Sequence, residues 1–377
     1  MRRSANEGRG YESPVMDTGR DPAEFRARLA PWLADRMGVP GLSIGAVEAP
    51  ATSGVANETL LVEARWASRW QERRQGLAVR IASIRPLFAG RSFRDQYLVQ
   101  QALAAEPGVP VPALVGYEED PAVLGSPFFV AERVDGLVPG DRPHYTESGF
   151  VAEASGEQRR RLWESAVDAL ARLHAVPAAR LTFLDPSFGR SGLDEELRYW
   201  RDYADRLEVG PAWNRDMLER GWEWLIAHRP REAASELSWG DARIGNMVFR
   251  DFEVVALLDW DTASLAGPIA DLAWWIQMDR HSWELLPGLG WPDELVQRWE
   301  HHTGREVVHL RWHLVFTAFR LGVIRMKLRR MMVADGLLPA AEARPDARNE
   351  SIQLLALWLD ETPPGSPLPR KPPMTRL

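Results

Sequence analysis

The chain has 377 residues, 45% of them hydrophobic, enough to bury a large core in one or two lobes. Its formal net charge of −7 argues against general nucleic-acid binding, and the absence of cysteine rules out disulfides, thiolate nucleophiles and cysteine–zinc sites and suits a reducing cytoplasm. No apolar run reaches the roughly 20 residues needed to cross a bilayer, and the charged stretch 1–20 reads as a disordered lead-in and not as a secretory signal.

In chain order, Asp21 can cap a helix opened by Pro22 and running to about Met37. Segments 42–47, 59–66 and 77–83 carry β-branched or aromatic residues and read as strands. A helix over 93–105 and two strands, 111–117 and 128–134, come next. After Asp135-Gly136 the pattern changes. Segment 157–174 places Leu162, Ala166, Leu170 and Leu173 on one helical face. Further helices are predicted over 193–207, 212–228, 269–278, 293–302, 310–335 and 343–359, interrupted by one β-loop-β element at 237–260. The expectation is an α+β chain: a β-rich lobe over 21–134, a hinge near 132–136, a mostly helical lobe over 135–361, and a basic, proline-rich tail over 362–377.

The chemistry concentrates in Ser238-Trp-Gly-Asp-Ala-Arg-Ile-Gly-Asn246 and Val254-Val-Ala-Leu-Leu-Asp-Trp-Asp261. Asp241 and Asn246 share one loop, Asp259 ends the second strand, and a hairpin between the strands brings Asn246 and Asp259 together. An amide oxygen and a carboxylate are hard ligands of the kind magnesium takes alongside phosphate oxygens. Asp241 is left to orient a hydroxyl and accept its proton. This is the part list of phosphoryl transfer, whose catalysis is mostly positioning and charge neutralisation and needs neither cysteine nor histidine.

These residues resemble the aminoglycoside phosphotransferase and choline kinase family, a branch of the protein-kinase-like fold. The family's His-Gly-Asp, four residues and Asn appear as Trp239-Gly240-Asp241 and Asn246; its metal motif appears as Asp259-Trp260-Asp261, and its downstream Asp-Leu-Ala as Asp271-Leu272-Ala273. The resemblance covers roughly 22–359 and implies a two-lobed α+β fold, Asp241 as catalytic base, Asn246 and Asp259 as magnesium ligands, and ATP or GTP as co-substrate. It also implies that the loop containing Gly54 and Asn57 covers the phosphates and that Arg80, where the family has lysine, contacts them. Asp95 and Gln96 both fall where a partner carboxylate for Arg80 is usual, the better alignment placing Gln96 there; backbone groups of Glu132 and Val134 would meet the nucleotide base, and the acceptor is a small-molecule hydroxyl. Trp239 departs from the motif histidine, and Ala266-Gly267-Pro268 from Gly-Asp-Pro.

Other readings stand beside these. Arg243 has two, a phosphate contact or an ion pair with a nearby acid. Asp261 reads as a solvent-facing cap in preference to a second metal ligand, and Asp271 as an anchor of the loop or a helix cap. The acceptor pocket is expected between residues 192 and 224 and the C-terminal helices, where Glu195, Glu196 or Asp202 could receive a cation. Trp239 and Gln96 motivate an alternative, a nucleotide-binding module without catalysis. Gly41-Leu-Ser-Ile-Gly45 matches a hydrolase nucleophile elbow at Ser43 but lacks the helix that must come after it. His309 and His313, four apart, lack the glutamate of a metalloprotease pair and read as structural. No nucleic-acid or membrane partner is expected, and the chain is expected to be a monomer or homodimer.

Overall fold

The computed structural model describes residues 20–50, 56–69, 71–141, 143–185, 187, 189–207, 212–231, 235–339, 349–363, 371, 374 and 375. Helix α1 (Pro22–Met37) starts where Asp21 accepts a hydrogen bond from Ala23 N and ends at Gly38 in the left-handed region. It lays Phe25, Leu29 and Leu33 on a five-stranded antiparallel sheet of order β1-β2-β3-β5-β4. The strands are β1 (Ser43–Glu48), β2 (Glu58–Ala67), β3 (Glu72–Ile81), β4 (Leu114–Glu118) and β5 (Phe128–Glu132). Strand alternation sets which face each side chain of β3 takes. Leu77, Val79 and Ile81 enter the core under α1, so Arg80 faces the opposite side, where helix α2 (Phe93–Ala104) presents Gln96.

Three strand boundaries differ from expectation for physical reasons. Strand β3 starts at Glu72 because its charged first residues pair with the end of β2, Arg73 opposite Trp66 and Arg74 opposite Arg65. It stops at Ile81, and Ser83 N turns to Asn57 Oδ1. Strand β4 starts after Pro110 and Pro112, which have no N–H for a ladder. Strand β5 ends at Glu132, leaving Val134 outside it.

The chain then crosses to the helical lobe. Leu137 and Phe249 exchange backbone hydrogen bonds of 2.8 Å each way. Gly136 is required at this crossing, because a Cβ there would lie 2.5 Å from Val248 Cγ1 and 2.7 Å from Phe249 O. The lobe contains α3 (Phe150–Glu153), α4 (Gly156–His174), α5 (Gly192–Asp205), α6 (Ala212–Ala227), α7 (Pro268–Met278), α8 (Ser282–Leu285), α9 (Pro292–Thr303), α10 (Leu310–Ala334) and α11 (Glu350–Trp358). Capping boxes at Ser155/Gln158 and Ser191/Asp194 start α4 and α5. The first half of α10 is buried and packs against α7, α6 and α11. The hairpin of β6 (Met247–Arg250) and β7 (Glu253–Leu257) faces the crossing.

Helix α11 begins at Glu350 because Asn349 caps it, accepting from Ser351 N and Ile352 N; the earlier start expected at 343 lies outside the described residues. The short α3 and α8 carry too little periodicity to be read from sequence. Most of the expected lead-in and tail lies outside the described residues. The parts that are described are tied down: Arg20 bonds Glu58 at 2.8 Å, and Thr375 N bonds Asp293 at 2.9 Å.

Candidate active site

The loop that carries Asp241 is built around one buried carboxylate. Asp271, in the first turn of α7, accepts from Ser238 Oγ (2.8 Å) and Gly240 N (2.8 Å) on Oδ1, and from Trp239 N (2.6 Å) and His174 Nε2 (2.9 Å) on Oδ2. Trp299 Nε1 donates to His174 Nδ1 at 2.9 Å, so the imidazole proton sits on Nε2 and points at Asp271. Gly240 has φ 91 and runs so close to Thr262 that a Cβ would sit 2.2 Å from its carbonyl oxygen. The Trp239 indole N–H is shared between Leu258 O (3.0 Å) and Asp259 O (2.9 Å). The end of β7 is thereby stitched to the Asp241 loop.

Asp241 is held at both oxygens. Oδ1 accepts from Trp274 Nε1 at 2.5 Å; Oδ2 accepts from Asn246 Nδ2 at 2.7 Å and Arg243 Nε at 3.2 Å. Asn246 directs its amide N–H groups to Asp241, including the backbone oxygen at 2.9 Å, which leaves its Oδ1 as the face able to take a cation. Leu258 N donates to Asn246 O at 2.9 Å, so Asn246 and Asp259 flank the hairpin side by side. Asp259 adopts φ 65, a left-handed conformation that asparagine and aspartate tolerate better than most side chains. Burial, then the neighbouring Asp261 carboxylate, push its pKa up to about 7 against the pull of Arg80.

Arg80 reaches across from the small lobe. Its Nη2 meets Asp261 Oδ1 at 2.6 Å and Asp259 Oδ1 at 3.2 Å, and its Nε meets Gln96 Oε1 at 3.1 Å. Burial opposes its charge, but Asp261 and then Asp259 outweigh that, and its pKa lies above the ordinary arginine value. Arg243 is likewise held charged, between Asp141 (2.6 Å) and Asp241 (3.2 Å).

A scan against family models matches residues 49–310 to the phosphotransferase enzyme family. The chain belongs to that family. Among curated proteins, this phosphotransferase-family chain is 30% identical over 192 residues to mouse (Mus musculus) acyl-CoA dehydrogenase family member 10, covering 49% of this chain and 17% of that protein. It is 27% identical over 181 residues to human (Homo sapiens) acyl-CoA dehydrogenase family member 11, covering 47% and 22%. The chain therefore spans less than a quarter of the length of these two relatives. Among solved structures, an aminoglycoside-phosphotransferase-like protein of Ralstonia eutropha superposes with TM-score 0.63 at 21% identity, covering 89% of this chain and 97% of that one. The GDP and kanamycin complex of the aminoglycoside phosphotransferase APH(2")-IIIa superposes with TM-score 0.54 at 16% identity, covering 87% and 97%. The fold is the two-lobed kinase-like α+β fold of these enzymes.

Within this family frame, Asp241, Asn246, Asp259, Arg80 and Arg243 converge on one cleft between sheet and helices. Asn57 joins them, donating from Nδ2 to Asp261 Oδ1 at 3.1 Å. Gly54 lies outside the described residues. Glu132 commits its backbone N–H to Ala113 O at 2.7 Å, so only its carbonyl is open to a base, while Val134 N donates no backbone hydrogen bond among the described residues. Asp261 corrects the sequence reading: it is 7% exposed and ion-paired, not a solvent-facing cap. Glu196 is no open cation receptor either, since Arg91 holds it at 2.7 and 2.9 Å and Trp200 Nε1 at 2.9 Å. Ser43 sits exposed on an edge strand and bonds only Arg65 O at 3.4 Å among the described residues, without the strand-turn-helix of an elbow. Burial drives the His313 pKa down to about 3, and no group of three or more His, Cys, Asp or Glu placed to hold a metal ion occurs among the described residues. Sequence reading missed Trp274, which bonds Asp241. Its signal is the i, i+3 spacing from Asp271, which puts both on one face of α7.

Proposed function

We propose that this chain transfers the γ-phosphoryl group of ATP or GTP to a hydroxyl of a small organic molecule. The observation that carries the reading is the locked Asp241–Asn246 pair set beside Asp259 and facing Arg80. Asp241 Oδ2, held by Asn246, orients the acceptor hydroxyl and takes its proton as the new O–P bond forms and the bond to the bridging β–γ oxygen breaks. Arg80 and Asn57 approach the phosphates from the sheet, and the Glu132 carbonyl and Val134 N–H are the groups available to the base. Two crowded carboxylates and a free amide oxygen fit a hard divalent cation, and Asn246 and Asp259 would hold it. Bound there, magnesium neutralises charge on the phosphates.

Among acceptors, the relatives named acyl-CoA dehydrogenases make a hydroxyacyl thioester the first class to try. Aminoglycosides are the second, from the structural neighbours. The decisive experiment pairs a phosphorylated-product screen over such a panel with Asp241→Asn. Expected is product with the wild type, and with the variant a loss of at least about 10³-fold, of the order assigned to base and positioning effects together, while nucleotide binding stays intact. Product formation by the variant at the wild-type rate removes the assignment. Nucleotide binding by the wild type with no product across the panel favours a binding module.

A further inference from the structure

We propose that Asp261 is the counter-ion that holds Arg80 in position for the nucleotide phosphates, in place of a carboxylate on α2. The proposal rests on the reading of Arg80 as a phosphate ligand and adds to it a positioning residue on the other lobe.

Helix α2 meets the Arg80 guanidinium with an uncharged group, Gln96 Oε1, at 3.1 Å from Nε. An arginine so enclosed, its side chain 16% exposed, is costly without an anion. The anion comes from the turn after β7. Asp261 Oδ1 lies 2.6 Å from Nη2, shorter than the 3.2 Å to Asp259 Oδ1, and its side chain is 5% exposed. Asp259 is also the carboxylate placed to serve a cation, so Asp261 remains as the dedicated partner.

Asp261 is itself fixed from the small lobe. Asn57 Nδ2 donates to the same oxygen at 3.1 Å, and Asn57 Oδ1 accepts from Ser83 N at 3.1 Å, three residues beyond Arg80. Arg80, Asp261, Asn57 and the end of β3 thus form a closed ring across the lobes. Within it the guanidinium fork is divided: Nε goes to α2, Nη2 to the two aspartates, and Nη1 has no partner among the described residues, which leaves it for a phosphate oxygen. The rival role for Asp261 is as a metal ligand, since its Oδ2 is buried without a hydrogen-bond partner.

A charge swap separates the two. Asp261→Asn keeps the shape and the oxygen facing Asn57 and removes only the charge. Gln96→Glu places a carboxylate where Nε already points. Binding of ADP and GDP to the purified full chain is measured by calorimetry in EDTA, so that no metal contributes, with melting temperature as a second readout. Expected is about tenfold weaker magnesium-free binding in Asp261→Asn and recovery of most of it in Asp261→Asn/Gln96→Glu. Unchanged binding in Asp261→Asn overturns the proposal. So does a loss that Gln96→Glu fails to restore, or a defect seen only with magnesium present, which is the metal-ligand result. If Asp261→Asn does not fold, the double variant must recover folding, and its failure to do so is also a refutation. Arg80→Gln is the control for the parent reading: if it weakens binding and Asp261→Asn does not, only the present inference falls, and if the wild type binds neither nucleotide in EDTA or with magnesium, the parent reading falls.

Discussion

Replacing Asp271 by asparagine should damage both stability and turnover, although the side chain touches neither lobe's ligands. The four donors on Asp271 split evenly, Ser238 Oγ and Gly240 N on Oδ1, Trp239 N and His174 Nε2 on Oδ2. An amide supplies one oxygen and one NH2. If the NH2 takes the Oδ2 side it faces the Trp239 N–H and a histidine whose other nitrogen is already committed to Trp299. If it takes the Oδ1 side, Ser238 can rotate its hydroxyl to accept, and only the Gly240 N–H is stranded. That less unfavourable arrangement forfeits one charge-assisted bond and leaves a buried donor facing a donor, while the remaining bonds drop to neutral strength. Hydrogen bonds to charged groups contribute about 1.5–3 kcal/mol each and a stranded buried donor costs about 1–3, which together put the loss at roughly 2.5–6 kcal/mol. That is a large share of the roughly 5–15 kcal/mol that holds a folded protein. Because the stranded group is Gly240 N, the backbone next to Asp241 shifts, and displacement of about 1 Å costs on the order of 10²-fold in rate. Urea unfolding followed by fluorescence, with turnover measured well below the midpoint, reads both effects. An Asp271→Asn protein with wild-type midpoint and wild-type kcat refutes the account of Asp271 as the hub of this loop.

Trp239→His, which restores the residue usual in the family motif, should destabilise this chain by about 3 kcal/mol. The indole is fully buried and its N–H bridges two carbonyls that an imidazole cannot fill or reach in the same way; an unchanged urea midpoint would show the indole is dispensable. Asp279 sits buried with Tyr145 OH donating to Oδ1 at 2.8 Å, and burial pushes its pKa up to about 7 from the ordinary 3.8. The folded state therefore holds this proton more tightly than the unfolded state. The stability so contributed is full below about pH 4 and is lost as pH rises through about 7. Asp279→Asn should gain on the wild type by up to roughly 3 kcal/mol between about pH 5 and pH 8; parallel stability curves over that range would contradict the shift.

Much of the architecture could be read in the sequence because local signals were strong there. Asp21-Pro22, the Leu162/Ala166/Leu170/Leu173 stripe and the apolar runs around 237–260 each have one simple reading, and the elements form at those places. The boundaries that slipped depended on partners. Glu72 to Gln75 has no strand-like composition, and it is extended because β2 lies beside it. The candidate site was legible at Asp241, Asn246 and Asp259 because loop chemistry and spacing coincide. Asp261 was misjudged because a carboxylate at a strand end is ordinarily solvated; here Arg80 and Asn57, 181 and 204 positions earlier in the chain, close over it. Arg91, whose guanidinium stacks 4.3 Å over Tyr199 while it holds Glu196, gave no local signal at all.

Two of the departures from the family pattern, Trp239 and the neutral Gln96, share a physical logic. A motif histidine supports the catalytic loop with a ring that can change its charge. Trp239 does the bracing here with an N–H that cannot titrate, and fills the volume with a buried ring set 5.5 Å from that of Trp260. On the other side of the cleft, the charge partner of Arg80 lies on the large lobe, so the cation is set by the hairpin that also positions Asp259, while α2 contributes a neutral contact. Both changes hand the geometry to the β6–β7 hairpin and the turn after it. A displacement of that turn would move Asp259, Asp261 and the backbone oxygens under Trp239 together, and with them Arg80. The residues proposed to meet the phosphates and the metal are therefore held from this hairpin and the turn after it, which also brace the Asp241 loop through Trp239, while Asp271 on α7 anchors that loop from the other side.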